Sequence, residues 1–282
     1  MGTKFSVWAS PLRLAGYTFC LLVFGYAISA GELQAGGGLV RLSSASAGVP
    51  DASRMEQLAK EDPVTFLKTC LDHYGREVKG YHAVMQKQER IQGRLQPKEI
   101  IDVCFKENPH SVCMSWIEGA RKAERVLYVD GANNGKMLAR PSGVLARRIA
   151  GDVVERDVDG ADAHQSGRYT LNEYGIRKGS ERTLSAWIAA QQRGALKVAY
   201  LGEQRVREAG DRLCYKLRRT YDRPEQDGVM ELTVYVDKEN LLQVGSVLKG
   251  AGGKLIGEYF FRDLQLNPEF SPGQFQREAL IP

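Results

Sequence analysis

No stretch of this 282-residue sequence gathers five or six charges of one sign; its 39 basic and 34 acidic residues are interspersed and leave a net charge of +5. Without such a run the electrostatic footprint of a nucleic-acid binder is missing, and no nucleic-acid partner is expected. The two basic pairs, Arg147-Arg148 and Arg218-Arg219, read as solvated strand or loop positions. Histidine is scarce. The four that occur, His73, His82, His110 and His164, form no His-Glu-x-x-His motif, and no Gly-x-Ser-x-Gly elbow is present. A metal pair of His73 with His82 is not expected, and no Cys-x-x-Cys or Cys/His pair has zinc-ligand spacing. Asp157–Gly160 begins like a calcium loop, but the twelfth position, where a bidentate Glu belongs, is Arg168. Gly250-Ala251-Gly252-Gly253-Lys254 lacks the spacing of a phosphate loop and reads as a hairpin turn. No catalytic residue, metal or cofactor is expected, and the chain does not read as an enzyme.

What is present is alternation. Met230–Val236 sets Met230, Leu232, Val234 and Val236 on one face, with Glu231, Thr233 and Tyr235 on the other. Leu241–Leu248 follows a four-residue polar link, and Leu255–Leu266 follows the glycine-rich link. Short links between period-two runs predict an antiparallel meander, whose apolar face must be covered by something else. The same rhythm fills Tyr81–Arg90, Glu99–Lys106, Ser111–Ile117, Glu124–Val129 and Lys136–Arg140, continues weakly in Val144–Ile149, and resumes at Leu196–Leu201 and Asp211–Thr220. Two helices are expected. One starts at the N-cap Asp62 with Pro63 in its first turn and carries Phe66, Leu67, Cys70, Leu71 and Tyr74 to Gly75; the other spans Ser180–Arg193, with Ser180 as N-cap and Leu184, Trp187 and Ile188 as its stripe. Residues 151–167 read as an exposed acidic loop, and Phe270 and Phe275 as packing anchors of the tail. The fold class is mainly β (α+β): a strongly curved antiparallel sheet or unclosed half-barrel of about 10–11 strands with two helices on its concave face.

Residues 1–30 have a charged start, Lys4 and Arg13, and an uncharged apolar run, Leu14–Ala30, ending in small residues. They read as a signal peptide or an N-terminal anchor, which would be the chain's sole membrane contact. Residues 31–56, rich in Gly, Ala and Ser, read as a flexible linker, and 57–282 as one domain. Export places the remaining cysteines, Cys70, Cys104, Cys113 and Cys214, in an oxidising periplasm or envelope. If Glu107–His110 is the hairpin loop, Cys104 falls opposite Cys113; the pair is a disulfide or two half-buried thiols.

Several phrases resemble an uncharacterised family of exported bacterial proteins, domain of unknown function 1571. These are Gln88–Gly93, Pro109–Val112 leading to Trp116, Tyr128–Lys136, Gly167-Arg168-Tyr169, and Gly257–Asp263 with Asn267-Pro268. The order of helix, meander, aromatic-Val-Asp-Gly strand end and closing Phe261–Pro268 also resembles the LolA-like periplasmic lipoprotein carriers. That resemblance implies an unclosed barrel with helices over its mouth and an acyl-chain cavity. The basic pairs and the acidic loop depart from that pattern. Apolar cavity candidates are Phe105, Trp116, Tyr128, Val198, Tyr215, Leu217, Leu232 and Val234. Expected partners are a lipid or lipoprotein held there, or, if the core is solid, an envelope protein.

Overall fold

A computed structural model describes residues 50–225 and 228–281. The expected export segment with Cys20, and residues 31–49 of the expected linker, lie outside the described residues. The first half of the sheet comprises β1 (Gly80–Ile91), β2 (Arg94–Leu95), β3 (Glu99–Lys106), β4 (Ser111–Glu118), β5 (Ala123–Val129), β6 (Lys136–Pro141) and β7 (Val154–Asp157). The second half comprises β8 (Lys197–Val206), β9 (Arg212–Thr220), β10 (Glu231–Asp237), β11 (Gln243–Lys249) and β12 (Leu255–Leu266). All pairings are antiparallel, in the order β7-β6-β5-β4-β3-β1-β12-β11-β10-β9-β8, with β2 folded onto β1. β7 and β8 stand at the two ends of the path and, among the described residues, do not pair with each other, so the sheet is an unclosed half-barrel.

This order determines what covers the sheet. The chain steps outward from β1 to the edge strand β7, then must reach the opposite edge at β8. It crosses the inner face through α4 (Ala161–Ser166) and α5 (Ile176–Gln192), and returns strand by strand to pair β12 with β1. α1 (Ala52–Glu61) and α2 (Pro63–Glu77) join α5 over the second half, where Phe66 meets Tyr215 edge to face at 5.3 Å and Trp187 is fully buried. Among the described residues, no helix is long and apolar enough to cross a membrane.

Asp62 caps α2 as expected, accepting from the Thr65 N–H at 3.0 Å and its hydroxyl at 2.6 Å, with Pro63 in the first turn. Gly75 does not close that helix, which runs on to Glu77. The expected linker gives way at its end to α1: Asp51 caps it, and Met55, Leu58 and Ala59, spaced by three and four, are buried. α5 starts four residues before the expected cap, at Ile176, and Ser180 instead turns its hydroxyl back to the Ile176 carbonyl at 2.9 Å. Val144–Ile149 is no strand but the core of α3 (Val144–Ala150), whose Leu, Ala and Arg residues favour a helix where the ladder has run out. The acidic loop contains β7 and α4. Arg219 is not solvated: it is 2% exposed, bonded to Glu225 at 3.1 Å and stacked over Tyr221 at 4.1 Å.

Candidate functional site

The pairing registers carry one face continuously across the sheet. Phe105 pairs Tyr81 and Val112, Val112 pairs Tyr128, and Ile101 pairs Trp116. On the other side Lys87 pairs Tyr259, Tyr259 pairs Ser246, Ser246 pairs Val234, and Val234 pairs Leu217. Leu232 and Val198 both pair Arg219, and Tyr215 pairs Val236. All eight cavity candidates therefore lie on the inner face. They divide in two. Tyr215, Leu217, Val234 and Val198 are packed beneath α1, α2 and α5, with Leu232 at the border of that cluster. Phe105 is stacked on Tyr81 at 4.8 Å, and the Tyr128 hydroxyl donates to Asp130 at 3.3 Å.

Beside this solid half lies a cavity of about 490 Å³, and of the eight only Trp116 and Leu232 line it. Its roof is the crossing segment, from Ala163 and Tyr169 to Ile176 and Ala186. Its deep wall is apolar: Met85, Met114, Val126, Ala139 and Phe261. Two residues from Met85 on β1 and from Ile101 on β3, the same face turns polar, with Lys87, Glu89 and Glu99 and, towards the end of β4, the Trp116 indole N–H. Lining residues become exposed at this end, at Lys122, Ala150, Arg156 and Asp162, so this is the open side.

The charged wall is a closed network. Glu99 accepts from the Trp116 indole N–H at 2.6 Å and from Arg121 at 3.2 Å, and Lys87 lies 3.5 Å away. Lys87 also donates to Glu89 at 3.3 Å, while the other Glu89 oxygen accepts from the Tyr259 hydroxyl at 2.7 Å and the Arg168 N–H at 3.3 Å. Burial, then the Glu89 charge, holds the Tyr259 phenol well above its ordinary value. Arg121 reaches on to the Ser166 carbonyl at 2.7 Å, tying the roof to the wall. The two carboxylates face Lys87 and Arg121, and each has partners as buried charges require. None of the four histidines lines the cavity. The alternation of the strands made the inner face legible; the charged wall was missed because nothing in the sequence joins Lys87, Glu89 and Glu99 until the registers bring them together.

At the open end α3 exposes Val144, Leu145 and Ile149 at 61%, 71% and 79%. Ile117, near the end of β4, and Leu95 on β2 are exposed at the same end of the sheet.

Cys104 stands opposite Cys113 as the hairpin predicts, but no disulfide joins them; both are free, as are Cys70 and Cys214. The two thiols pack as apolar filling with Leu127, Leu138 and Leu280 on the outer face, where Phe270 and Phe275 seal the cluster. Burial pushes Cys104 up to about 12 and raises Cys113, which withholds the thiolate that disulfide chemistry needs.

The family profile described as "Protein of unknown function (DUF1571)" matches residues 78–279. No curated protein matches the sequence. Among solved structures, MucB in the Pseudomonas aeruginosa MucA/MucB complex is 18% identical with a TM-score of 0.42, over 77% of this chain and 62% of that one. This chain thus spans less than two thirds of MucB. Mycobacterium tuberculosis lipoprotein LppX is 10% identical with a TM-score of 0.42, over 74% and 98% of the two chains. A LolA superfamily protein from Nitrosomonas europaea is 7% identical with a TM-score of 0.33, over 76% and 98%.

Proposed function

The chain belongs to the DUF1571 family, and from that premise we propose that it is an exported, non-catalytic envelope protein holding a lipid or acyl chain in the inner-face cavity, as a carrier or sensor. One observation carries this reading: the cavity is divided, with an apolar wall on one part of the sheet face and a buried, paired charged wall on the next, which leads to the exposed lining residues. An amphiphile matches that division, with its chain against Met85, Met114 and Phe261 and its polar end near Lys87, Glu99 and Arg121. The volume of about 490 Å³ lies within the range of small-molecule sites. Burial of apolar ligand surface, at roughly 25 cal/mol per Å², supplies the driving force, and the network supplies orientation. The absence of histidine from the lining and the internal pairing of its carboxylates favour binding over catalysis.

The test is native mass spectrometry with lipid extraction on protein purified from an envelope fraction. A bound mass of lipid size is expected, lost in Ala139→Phe, which fills the void that Ala139 lines. Lys87→Met should weaken binding of a fluorescent fatty acid about tenfold. Protein that is empty and ignores such probes sinks the reading. The second reading is a protein-interaction module, favoured by the exposed apolar face of α3; cross-linking from a cysteine placed at Leu145 would then trap a partner.

A further inference from the structure

Behind the cavity, on the outer face of β1 and β3, three donors of different kinds converge. Register places His82 beside Cys104, and Asp102 lies two residues from Cys104 on the same face. One ligand atom from each of His82, Asp102 and Cys104 falls within 4.8 Å of the others, with His82 Nε2 2.7 Å from Asp102 Oδ1. Cys113 stands directly across from Cys104 on β4, near enough for its charge to bear on the Cys104 thiol.

We propose that His82, Asp102 and Cys104 bind a borderline-soft divalent cation of the zinc class, with Cys113, which stands outside that group across from Cys104, turning in to close the fourth position. Imidazole, carboxylate and thiolate are the donors such an ion takes in tetrahedral sites. Bond lengths of about 2.0–2.3 Å put donor atoms about 3.3–3.8 Å apart in such a site. Small side-chain rotations on two hydrogen-bonded strands bring the three donors to that spacing. The neutral imidazole, protonated on Nε2 towards Asp102 at 2.7 Å, gives Nε2 to the cation and takes up the Nδ1–H tautomer, so its one proton moves within the ring. The two protons released are those of the two thiols. His82 and Asp102 are 31% and 41% exposed, which opens a path for the ion, while both sulfurs sit in the dry base of the site. A dication beside the Cys104 sulfur offsets the burial and the Asp102 charge that disfavour its thiolate. Against the burial that raises it, the Cys113 thiolate is favoured first by a hydrogen bond from the Gln274 side chain and then by Arg125, which is itself anchored to the Ala279 carbonyl at 3.1 Å. This site is independent of the cavity reading: it lies on the opposite face and shares no residue with the cavity lining.

The test titrates the reduced full chain with Zn²⁺ against a chromophoric chelator, and with Co²⁺ for an optical signal. One ion per chain, two protons released, and a thiolate-to-Co²⁺ charge-transfer band are expected. Cys104→Ser and His82→Ala should each weaken Zn²⁺ binding by about 100-fold or more, since loss of even an outer-shell partner costs about 10–100-fold. Cys104→Ser is nearly isosteric, and unchanged thermal unfolding without metal verifies its fold. Three results would overturn the site: no Zn²⁺ bound by the reduced chain, affinity unchanged in Cys104→Ser, or a Cys104–Cys113 disulfide that forms as fast with Zn²⁺ as without.

Discussion

A thiol packed against hydrocarbon loses its proton less readily than one in water, because the interior solvates the thiolate poorly. Cys104 and Cys214 are both pushed up to about 12, first by burial and then by the neighbouring carboxylates Asp102 and Asp237. An acid whose folded pKa exceeds its unfolded one favours folding in its neutral form. That contribution is full below the ordinary thiol value of about 8.5 and fades as pH climbs towards about 12. Native thiols should therefore react with a disulfide reagent at pH 8 about 100-fold or more slowly than those of the denatured chain. Comparable rates would mean that the thiols are not packed as the structure places them. At this scale the sequence was half legible. Strand parity placed Asp102, Cys104 and Cys113 on one face, but His82 joins them only through the β1–β3 register, which lies across a loop whose length does not specify it.

Among the elements, α2 depends most visibly on one residue. The Asp62 carboxylate accepts from both the hydroxyl and the N–H of Thr65, and these bonds hold its pKa below the ordinary value. The cap's contribution is thus full above that ordinary value and lost as pH falls through the lower, folded one. Asp62→Ala should cost about 1 kcal/mol at neutral pH. Thermal unfolding of the two proteins should converge in acid, and a gap that persists there would show that the side chain acts by packing. The entry to α5 is constrained differently: Gly175 has φ 126°, and a Cβ there would stand 3.1 Å from the Phe105 ring. The long elements were readable because β1, β3, β4, β10 and α2 repeat their periods over enough residues. α3 was not, since Val144, Leu145 and Ile149 satisfy neither period and bury nothing. α1 was hidden by its setting, a helix of ten residues following a Gly- and Ser-rich stretch.

Over the molecule as a whole, one topological fact ties cover to cavity. Since β7 and β8 occupy opposite edges, the segment between them must cross from one to the other; it takes the inner face, and its two parts are anchored unequally. α5 buries Ile176, Ser180, Thr183, Trp187 and Ala190, whereas α4 buries only Ala163 and α3 buries nothing. The second half of the sheet is sealed by α1, α2 and α5, while the first half is roofed by the lightly anchored part. Segments with few buried apolar contacts open at low free-energy cost, and their amides exchange readily. In the ligand-free protein, residues 144–166 should exchange fastest among the helical regions, well ahead of 183–190. Binding of an acyl chain in the cavity should slow exchange at Ala163 and its neighbours, because the ligand gives the roof the apolar contacts it lacks. Exchange in β9 and β10, beneath the sealed half, should not change. Protection that rose equally in both halves would place the ligand elsewhere, whereas protection confined to the roof would locate both the site and the element that opens to admit its contents.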